Sequence, residues 1–108
     1  MKKTHLLKIR EDYAEAVASG LKTFEVRYND RDYEVGDIVE FMVINSKGGL
    51  IFNHPIHSKQ FEINYILSDF LGLKKDYVAF AIKPYVEDSN PKTRWGILGD
   101  VSIRFNAD

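Results

Sequence analysis

The sequence predicts a small, mostly antiparallel β-barrel of the α+β class, with about six strands and one main helix packed at its side. Three observations lead to this prediction. Six or seven short segments alternate apolar and polar residues, which is the period of a half-buried strand. A single early segment has helical spacing and a clear stop. Most links are too short for crossover helices, which favours antiparallel neighbours and closure of the sheet.

Length and composition are those of one soluble domain. With 108 residues the chain can bury one core and has no room for a second domain. Its 44% hydrophobic and 29% charged residues indicate neither disorder nor membrane residence. The chain has no cysteine, which excludes disulfides and thiolate zinc sites. Lys8 interrupts the apolar run that a signal peptide would need, so we expect a cytoplasmic protein with no membrane partner.

The first thirty residues predict a strand, a helix and a second strand. Residues 5–9 lean apolar and predict the first strand. Residues 11–19 predict a two-turn helix, because acidic residues occupy its first turns, where the helix dipole favours them, and because Tyr13 and Val17 are four positions apart. Gly20 predicts the end of the helix, since glycine readily adopts the left-handed conformation found there.

The strand after Gly20 is the most polar one in the sequence. Phe24, Val26 and Tyr28 alternate with polar residues, which predicts one buried and one wetted face. An arginine, an acid and a hydroxyl therefore share one face directly after a helix stop. We predict that this row lines a functional cleft; the alternative is a surface sheet face with weak ion pairs. The polar row consists of Thr23, Glu25, Arg27 and Asn29.

The rest of the chain predicts four more strands, a short hairpin arm and the connections between them. Residues 38–44 are apolar on both faces apart from Glu40, which predicts a central strand, enclosed on two sides and the most buried of all. Residues 46–49 predict a tight hairpin turn into residues 50–52. Alternation predicts further strands over residues 61–67, 77–83 and 101–106. Between the strands we expect turns at 29–32 and 35–37, a loop at 53–60, a helical turn at 68–73 and a polar connection at 84–94.

Charge is distributed unevenly along the chain. The formal net charge of −1 argues against a protein that coats nucleic acid indiscriminately. The first ten residues contain four basic residues and no acid, and we expect them to add weak attraction to a nucleic-acid backbone. Residues 22–37 contain three basic and five acidic residues. This count predicts a cleft of mixed sign, which favours directional hydrogen bonding over simple phosphate capture.

Arg27 is the strongest candidate for contact with a ligand. Its rigid fork can hold a phosphate or a base edge bidentately; the alternative is an ion pair with Glu25 or Asp30 that serves only the fold. Lys22 can reach the same face as a point charge. Glu25 can orient Arg27, accept from a base amino group or act as a general base, and residues 29–31 can instead be a simple turn. The candidate nucleic-acid-binding residues are Lys22, Thr23, Glu25, Arg27, Asn29 and Arg31.

Neither a metal nor a cofactor is predicted. His54 and His57 are three apart with a proline between them, and with His5 they are the three histidines of the chain. Because no carboxylate is near them in sequence, the pattern is not that of a metal site. Trp95 next to Arg94 offers a stacking platform for an unpaired base, or packs against the end of the barrel.

Several motifs resemble a known family in their order and spacing. The chain resembles the ASCH group of the PUA-like superfamily and, more narrowly, a family of small bacterial and phage proteins known as DUF3850. The motifs lie within residues 5–83, the core of a single domain over residues 1–108 with an extension at 84–108. The matching motifs are His5-Leu-Leu-Lys-Ile9, Tyr13 with Ala16-Val17, Gly20-Leu-Lys-Thr-Phe-Glu-Val-Arg27, Asn29-Asp-Arg31, Val35-Gly-Asp37, Ile63-Asn-Tyr-Ile-Leu67 and Gly72-Leu-Lys-Lys-Asp-Tyr-Val78.

The resemblance implies a barrel with a cleft beside the first helix and, as in most of the superfamily, an RNA-binding module. RNA or a nucleotide-like ligand is therefore the expected partner. One ASCH branch hydrolyses N4-acetylcytidine; its lysine maps onto Lys22 and its nucleophilic threonine onto Glu25. Thr23 stands two positions early, a displacement of about 6.6 Å along a strand.

We therefore expect a binding module that is not an enzyme. One alternative is an amidohydrolase acting on a modified nucleoside such as N4-acetylcytidine, with Lys22 and Glu25 as the working groups. The other alternative is a protein-interaction accessory domain. That alternative predicts a large exposed apolar patch near Phe52, Trp95 and Phe105.

Overall fold

The computed structural model describes residues 2–86. In this part the strands predicted over residues 5–9, 38–44, 61–67 and 77–83 are confirmed, as are the helix and the polar strand that follows it. The strand predicted over residues 101–106 lies outside the described residues. The elements in chain order are β1 (Thr4–Arg10), α1 (Glu11–Ala18), β2 (Phe24–Tyr28), β3 (Ile38–Ile44), a 3-10 turn (Pro55–Ser58), β4 (Gln60–Leu67) and β5 (Tyr77–Tyr85).

The five strands form one curled sheet in the order β1-β3-β4-β5-β2. β1 pairs with β3 in parallel, and the segment with α1 and β2 supplies the long crossover that a parallel pair needs. The other three pairings are antiparallel. The predicted α+β class, a small and mostly antiparallel barrel-like sheet with one helix, is confirmed. β1 and β2 are the two ends of the sheet, so within residues 2–86 each has one edge without a strand partner.

The core fills the concave face of the curled sheet. Every strand except β2 contributes alternate apolar side chains to it, and Ala14 and Val17 of α1 pack against the same cluster. β3 is the one strand of the described chain without an exposed residue, which confirms that it is the most buried. The largest fully buried apolar side chains are Phe80, Leu7, Ile56, Ile63, Val39 and Val43.

Helix α1 ends as the sequence predicts. Gly20 has a φ of +85°, the left-handed conformation that glycine adopts without steric cost, and the backbone N–H of Gly20 donates to the Val17 carbonyl at 3.1 Å. Val17 is buried, whereas Tyr13 is 46% exposed. The described chain has no helix long and apolar enough to cross a membrane.

Two connections differ from the predictions. Residues 68–73 form a turn and not a helical turn, with Asp69 at a φ of +55°, which a helix does not accommodate. Residues 50–52 make one bridge, between Ile44 and Leu50, in place of a full strand after the hairpin turn. Phe52 is exposed there, while Trp95 and Phe105 lie outside the described residues, so the apolar patch predicted around these three residues stays a prediction.

The loop predicted at residues 53–60 contains the 3-10 turn, and two histidines tie it to the backbone. His54 accepts a hydrogen bond from the N–H of Ile56 at 3.1 Å, and Pro55 begins the turn, where its missing N–H costs nothing. His57 accepts from the N–H of Val43 through Nε2 at 3.1 Å, and its Nδ1 lies 3.1 Å from the carbonyl of Phe52. Both side chains hold local backbone in place.

Candidate functional site

Strand β2 turns its polar face inward. Glu25 pairs in register with Phe80 and Arg27 with Val78, and both partners point into the core, so Glu25 is only 3% exposed. Phe24, Val26 and Tyr28 share the opposite face and are about half exposed. The alternation of β2 is therefore the one predicted, but the buried side is the polar side, the reverse of what hydropathy favours.

The buried Glu25 carboxylate is held between two cations. Oε1 accepts from Nε of Arg27 at 2.9 Å and lies 2.8 Å from Nη2 of Arg27. Oε2 accepts from the Lys22 ammonium, which also donates to the carbonyl of Phe24 at 2.6 Å. Side-chain exposure is 17% for Lys22 and 25% for Arg27, so both cations are largely desolvated as well. A carboxylate can be buried here because two opposite charges and their hydrogen bonds replace its water.

The end of the helix positions Lys22. The carbonyl of Ala16 accepts from the N–H groups of both Leu21 and Lys22, at 2.9 and 3.0 Å. These two hydrogen bonds to the last turn of α1, together with the left-handed conformation of Gly20, bring Lys22 back beside the start of β2. The Lys22 ammonium then lies 5.4 Å from the ring centre of Tyr13 and 5.0 Å from that of Phe24, within cation–π range.

A cleft of about 490 Å³ lies beside these three residues. Residues of β1 form one wall and residues of β2 the other, so the cleft occupies the gap between the two ends of the sheet. Nη2 of Arg27 crosses this gap and donates to the carbonyl of Lys8 at 2.9 Å, where a closed barrel would have a backbone hydrogen bond. We define the floor of the cleft as Lys22, Glu25 and Arg27, and its rim as Lys8, Arg10, Tyr13 and Phe24.

The cleft is cationic. Four basic residues and one acidic residue line it, a formal charge of +3, and Asp12, outside the lining, pairs with Arg10 at 2.8 Å. Lys22, Glu25 and Arg27 bring both signs to the lining, as residues 22–37 led us to expect. β1 adds Lys8 and Arg10, so positive charge predominates. Two of the acids within residues 22–37, Asp32 and Glu34, instead lie 3.8 Å from the ammonium of Lys3. Only the order of the strands reveals which charges share the cleft.

The predicted site residues fall into two groups. Lys22, Glu25 and Arg27 lie together on the floor, whereas Thr23, Asn29 and Arg31 are not among the residues that line the cleft. The backbone carbonyl of Thr23 accepts a hydrogen bond from the N–H of Ile82 in β5 at 3.0 Å.

Asn29 has a turn role, as the alternative for residues 29–31 supposed: its side chain accepts from the N–H of Tyr33 at 3.2 Å. Arg31 is exposed. Sequence reasoning missed Lys8, Arg10 and Tyr13, and the one signal for the first two was the basic excess in the first ten residues.

A second buried carboxylate, Asp37, lies outside the cleft lining. It is 1% exposed; Oδ2 lies 2.8 Å from Nε2 of His5 and accepts from the N–H of Glu34 at 3.0 Å, and Oδ1 accepts from the N–H of Lys3 at 3.1 Å. Burial by itself would raise the pKa of Asp37, but the hydrogen bonds from His5, Lys3 and Glu34 outweigh it and lower the pKa. This cluster fastens the start of β1 to the start of β3.

An aromatic stack continues from this cluster into the core. The ring centre of Tyr33 lies 4.8 Å from that of His5 and 4.8 Å from that of Phe80. Burial raises the pKa of the Tyr33 hydroxyl, although the positive charges of Arg27 and Arg31 oppose the rise. The His5 ring is therefore held in place by Asp37 and by this aromatic stack. In the described part of the chain, no three metal-ligating side chains come together.

The family model described as a domain of unknown function (DUF3850) matches residues 4–82. No curated protein matches the chain. Among solved structures, the chain is similar to the crystal structure of the hypothetical protein PH0355, with 18% identity over 76% of this chain and 99% of that chain and a TM-score of 0.49. Neither description names a ligand or an activity.

Proposed function

The chain belongs to the DUF3850 family, and we propose that it is a non-enzymatic module that binds RNA, or a nucleotide-like piece of RNA, in the cleft between β1 and β2. One observation carries the proposal: the buried Glu25 holds the cations of Lys22 and Arg27 side by side on the floor of an open cavity. Charged groups held in place before binding lose little conformational entropy when a ligand arrives.

The charge and size of the cleft support a nucleotide unit as the ligand. A lining with a formal charge of +3 attracts a polyanion, although the whole chain carries a net charge of −1. A volume of about 490 Å³ falls within the range of small-molecule sites and is far too small for a duplex. Single-stranded or terminal nucleotides therefore fit better than a helix.

The rim supplies aromatic rings for a base. Tyr13 and Phe24 are each about half exposed, and both line the cleft. An exposed ring beside a cationic floor is the combination that proteins use to bind unpaired nucleotides, with the base stacked on the ring and the phosphate near the cations. The resemblance to the ASCH and PUA-like proteins, which are mostly RNA-binding modules, supports the same ligand class.

The geometry gives less support to the amidohydrolase alternative. Cations engage both oxygens of Glu25, so this carboxylate is not placed to take a proton from water. Thr23, the nearest hydroxyl in sequence, is not part of the cleft lining. Incubation with N4-acetylcytidine, beside an active control enzyme, tests this alternative. Deacetylation by this chain would contradict the non-enzymatic proposal.

The binding test uses two lysines. Lys8 lines the rim and is exposed, whereas Lys59 is exposed but does not line the cleft. We expect Lys8→Ala to weaken binding of a short single-stranded RNA and to reduce the slope of log K against log salt concentration by about 0.7, because one phosphate contact is lost. Lys59→Ala should bind like the wild type. Equal binding by all three proteins at matched salt would refute the proposal.

A further inference from the structure

The floor of the cleft has hydrogen-bond donors that are not used within the protein and few free hydrogen-bond acceptors. An ammonium has three N–H groups, and that of Lys22 uses two of them on Glu25 and the Phe24 carbonyl. A guanidinium has five, and Arg27 engages Glu25 and the Lys8 carbonyl through Nε and Nη2. No hydrogen bond within residues 2–86 involves Nη1 of Arg27. About three donors, one on Lys22 and two on Arg27, therefore remain for a ligand.

A surplus of cationic donors favours a ligand group that only accepts hydrogen bonds. The Watson–Crick edge of every base carries donors as well as acceptors, and a ribose hydroxyl does both. A phosphate has only acceptors, and its negative charge offsets the positive charge of the cleft. Asp12, outside the lining, offsets Arg10 at 2.8 Å and reduces the formal charge of +3 to about +2, which suits a phosphate monoester of about −2 better than a diester of −1.

The shape of the cleft favours the end of a chain over its middle. The hydrogen bond from Arg27 to the Lys8 carbonyl joins the two walls at the floor, so a strand of RNA cannot run through between β1 and β2. Tyr13 of helix α1 lines a further side of the cleft. A volume of about 490 Å³ accommodates one nucleotide, with its phosphate at the floor and its base at the aromatic rim.

From these three observations we infer that the cleft takes a terminal phosphate monoester, as found at a phosphorylated end of RNA or in a nucleoside monophosphate, at Lys22 and Arg27. The inference rests on the proposed function and adds the group that is recognised. Glu25 is a positioning residue here, since it holds both cations and has no free oxygen for the ligand.

The test compares one RNA sequence with three kinds of end. A short single strand carries a 5′-phosphate, a 3′-phosphate or hydroxyls at both ends, and a nucleoside monophosphate is titrated separately. We expect one phosphorylated form to bind about ten-fold or more tightly than the hydroxyl form, as expected for several charge-assisted hydrogen bonds. We also expect the nucleoside monophosphate to bind saturably and to compete with that RNA.

The variant removes one cation together with the carboxylate that positions Lys22 and Arg27, and leaves Arg27 its hydrogen bond to the Lys8 carbonyl. Lys22→Met combined with Glu25→Gln takes away one cation and its counter-charge together, and thermal unfolding checks that the protein folds. The preference for the phosphorylated end should fall to about two-fold or less in this variant. If the double variant fails to fold, Lys22→Arg is measured in its place. It keeps a cation with more donors and should retain the preference for the phosphorylated end.

The outcomes separate the two claims. If all three RNAs bind equally well and Lys8→Ala weakens all of them equally, the terminal-phosphate inference is wrong and the RNA-binding proposal stands. If neither RNA nor the nucleoside monophosphate binds, both are wrong. A preference for the phosphorylated end that survives in the double variant would place the phosphate elsewhere and also overturn the inference.

Discussion

Within residues 2–86 two carboxylates are buried, those of Glu25 and Asp37, and the groups around them differ. Asp37 is surrounded by the buried His5 and by two backbone N–H groups, and the partly exposed Lys3 ammonium lies 3.9 Å from its Oδ2. Glu25 is surrounded by two long cationic side chains that border an open cleft. The first cluster is closed around its acid, and the second leaves donors exposed to a cavity.

The difference separates a structural cluster from a candidate site. Burial of a carboxylate is by itself weak evidence of function, since buried ion pairs occur in ordinary cores and contribute little net stability. What distinguishes Glu25 is that its partners have hydrogen-bonding capacity left over and a cavity in which to use it. The same contrast predicts that changes at Asp37 act mainly on stability and changes around Glu25 mainly on binding.

The largest expected effect is on stability, at Asp37. Asp37→Ala leaves the buried His5 ring and the part-buried N–H groups of Lys3 and Glu34 without this acceptor, and we expect it to lower the free energy of unfolding by about 3 to 5 kcal/mol. Glu25→Ala should cost less, about 1 to 3 kcal/mol, because Lys22 and Arg27 can turn toward the water in the cleft. Urea unfolding of both variants measures the difference. A larger loss at Glu25 would contradict the contrast between the clusters.

The next effect is on binding, at Arg27. Arg27→Ala removes the bidentate donor from the floor, and we expect RNA binding to weaken by about 1 to 3 kcal/mol while the protein stays folded. Arg31→Ala is the matched control, since Arg31 is exposed and does not line the cleft. Fluorescence anisotropy with a labelled single-stranded RNA at fixed salt measures both. An equal loss of RNA affinity in the two variants would show that the cleft is not the binding site.

A smaller effect is expected in acid. The pKa of Asp37 is lower in the folded state than in the unfolded chain, because His5 and two N–H groups outweigh the effect of burial. Its contribution to stability is therefore complete above the unfolded-state pKa of about 3.9 and is lost as the pH falls through the lower folded-state pKa.

The free energy of unfolding measured at about pH 6 and pH 3 tests this linkage. The wild type should lose more stability between the two values than Asp37→Asn, whose residue 37 does not titrate. Identical losses in the two proteins would show that Asp37 is not the group responsible.

The smallest effect is expected on the outer face of β2. Val26 is about half exposed there, so Val26→Thr should change the free energy of unfolding by no more than about 0.5 kcal/mol. A strand that buried its apolar face would lose substantially more from the same change, because a hydroxyl would enter the core. Thermal or urea unfolding distinguishes the two, with Val39→Thr in the core as the destabilised control.

Local patterns were sufficient for much of the fold. The two-residue period located the strands of the described chain, and the glycine at the end of α1 located the helix stop. The same period placed Glu25 and Arg27 on one face of β2, which is a property of any strand. The failures are at the turn of residues 68–73 and at the hairpin arm, where short segments depend on what packs against them.

Sequence alone thus determined the strands, the helix and the grouping of an acid with two cations after Gly20. It did not determine which face of β2 is buried or that Lys8 and Arg10 stand opposite. Those features depend on the strand order β1-β3-β4-β5-β2, which brings two distant segments to facing edges of one curled sheet. Hydropathy scores each residue against water, whereas the burial of Glu25 depends on the cations that the folded chain places beside it.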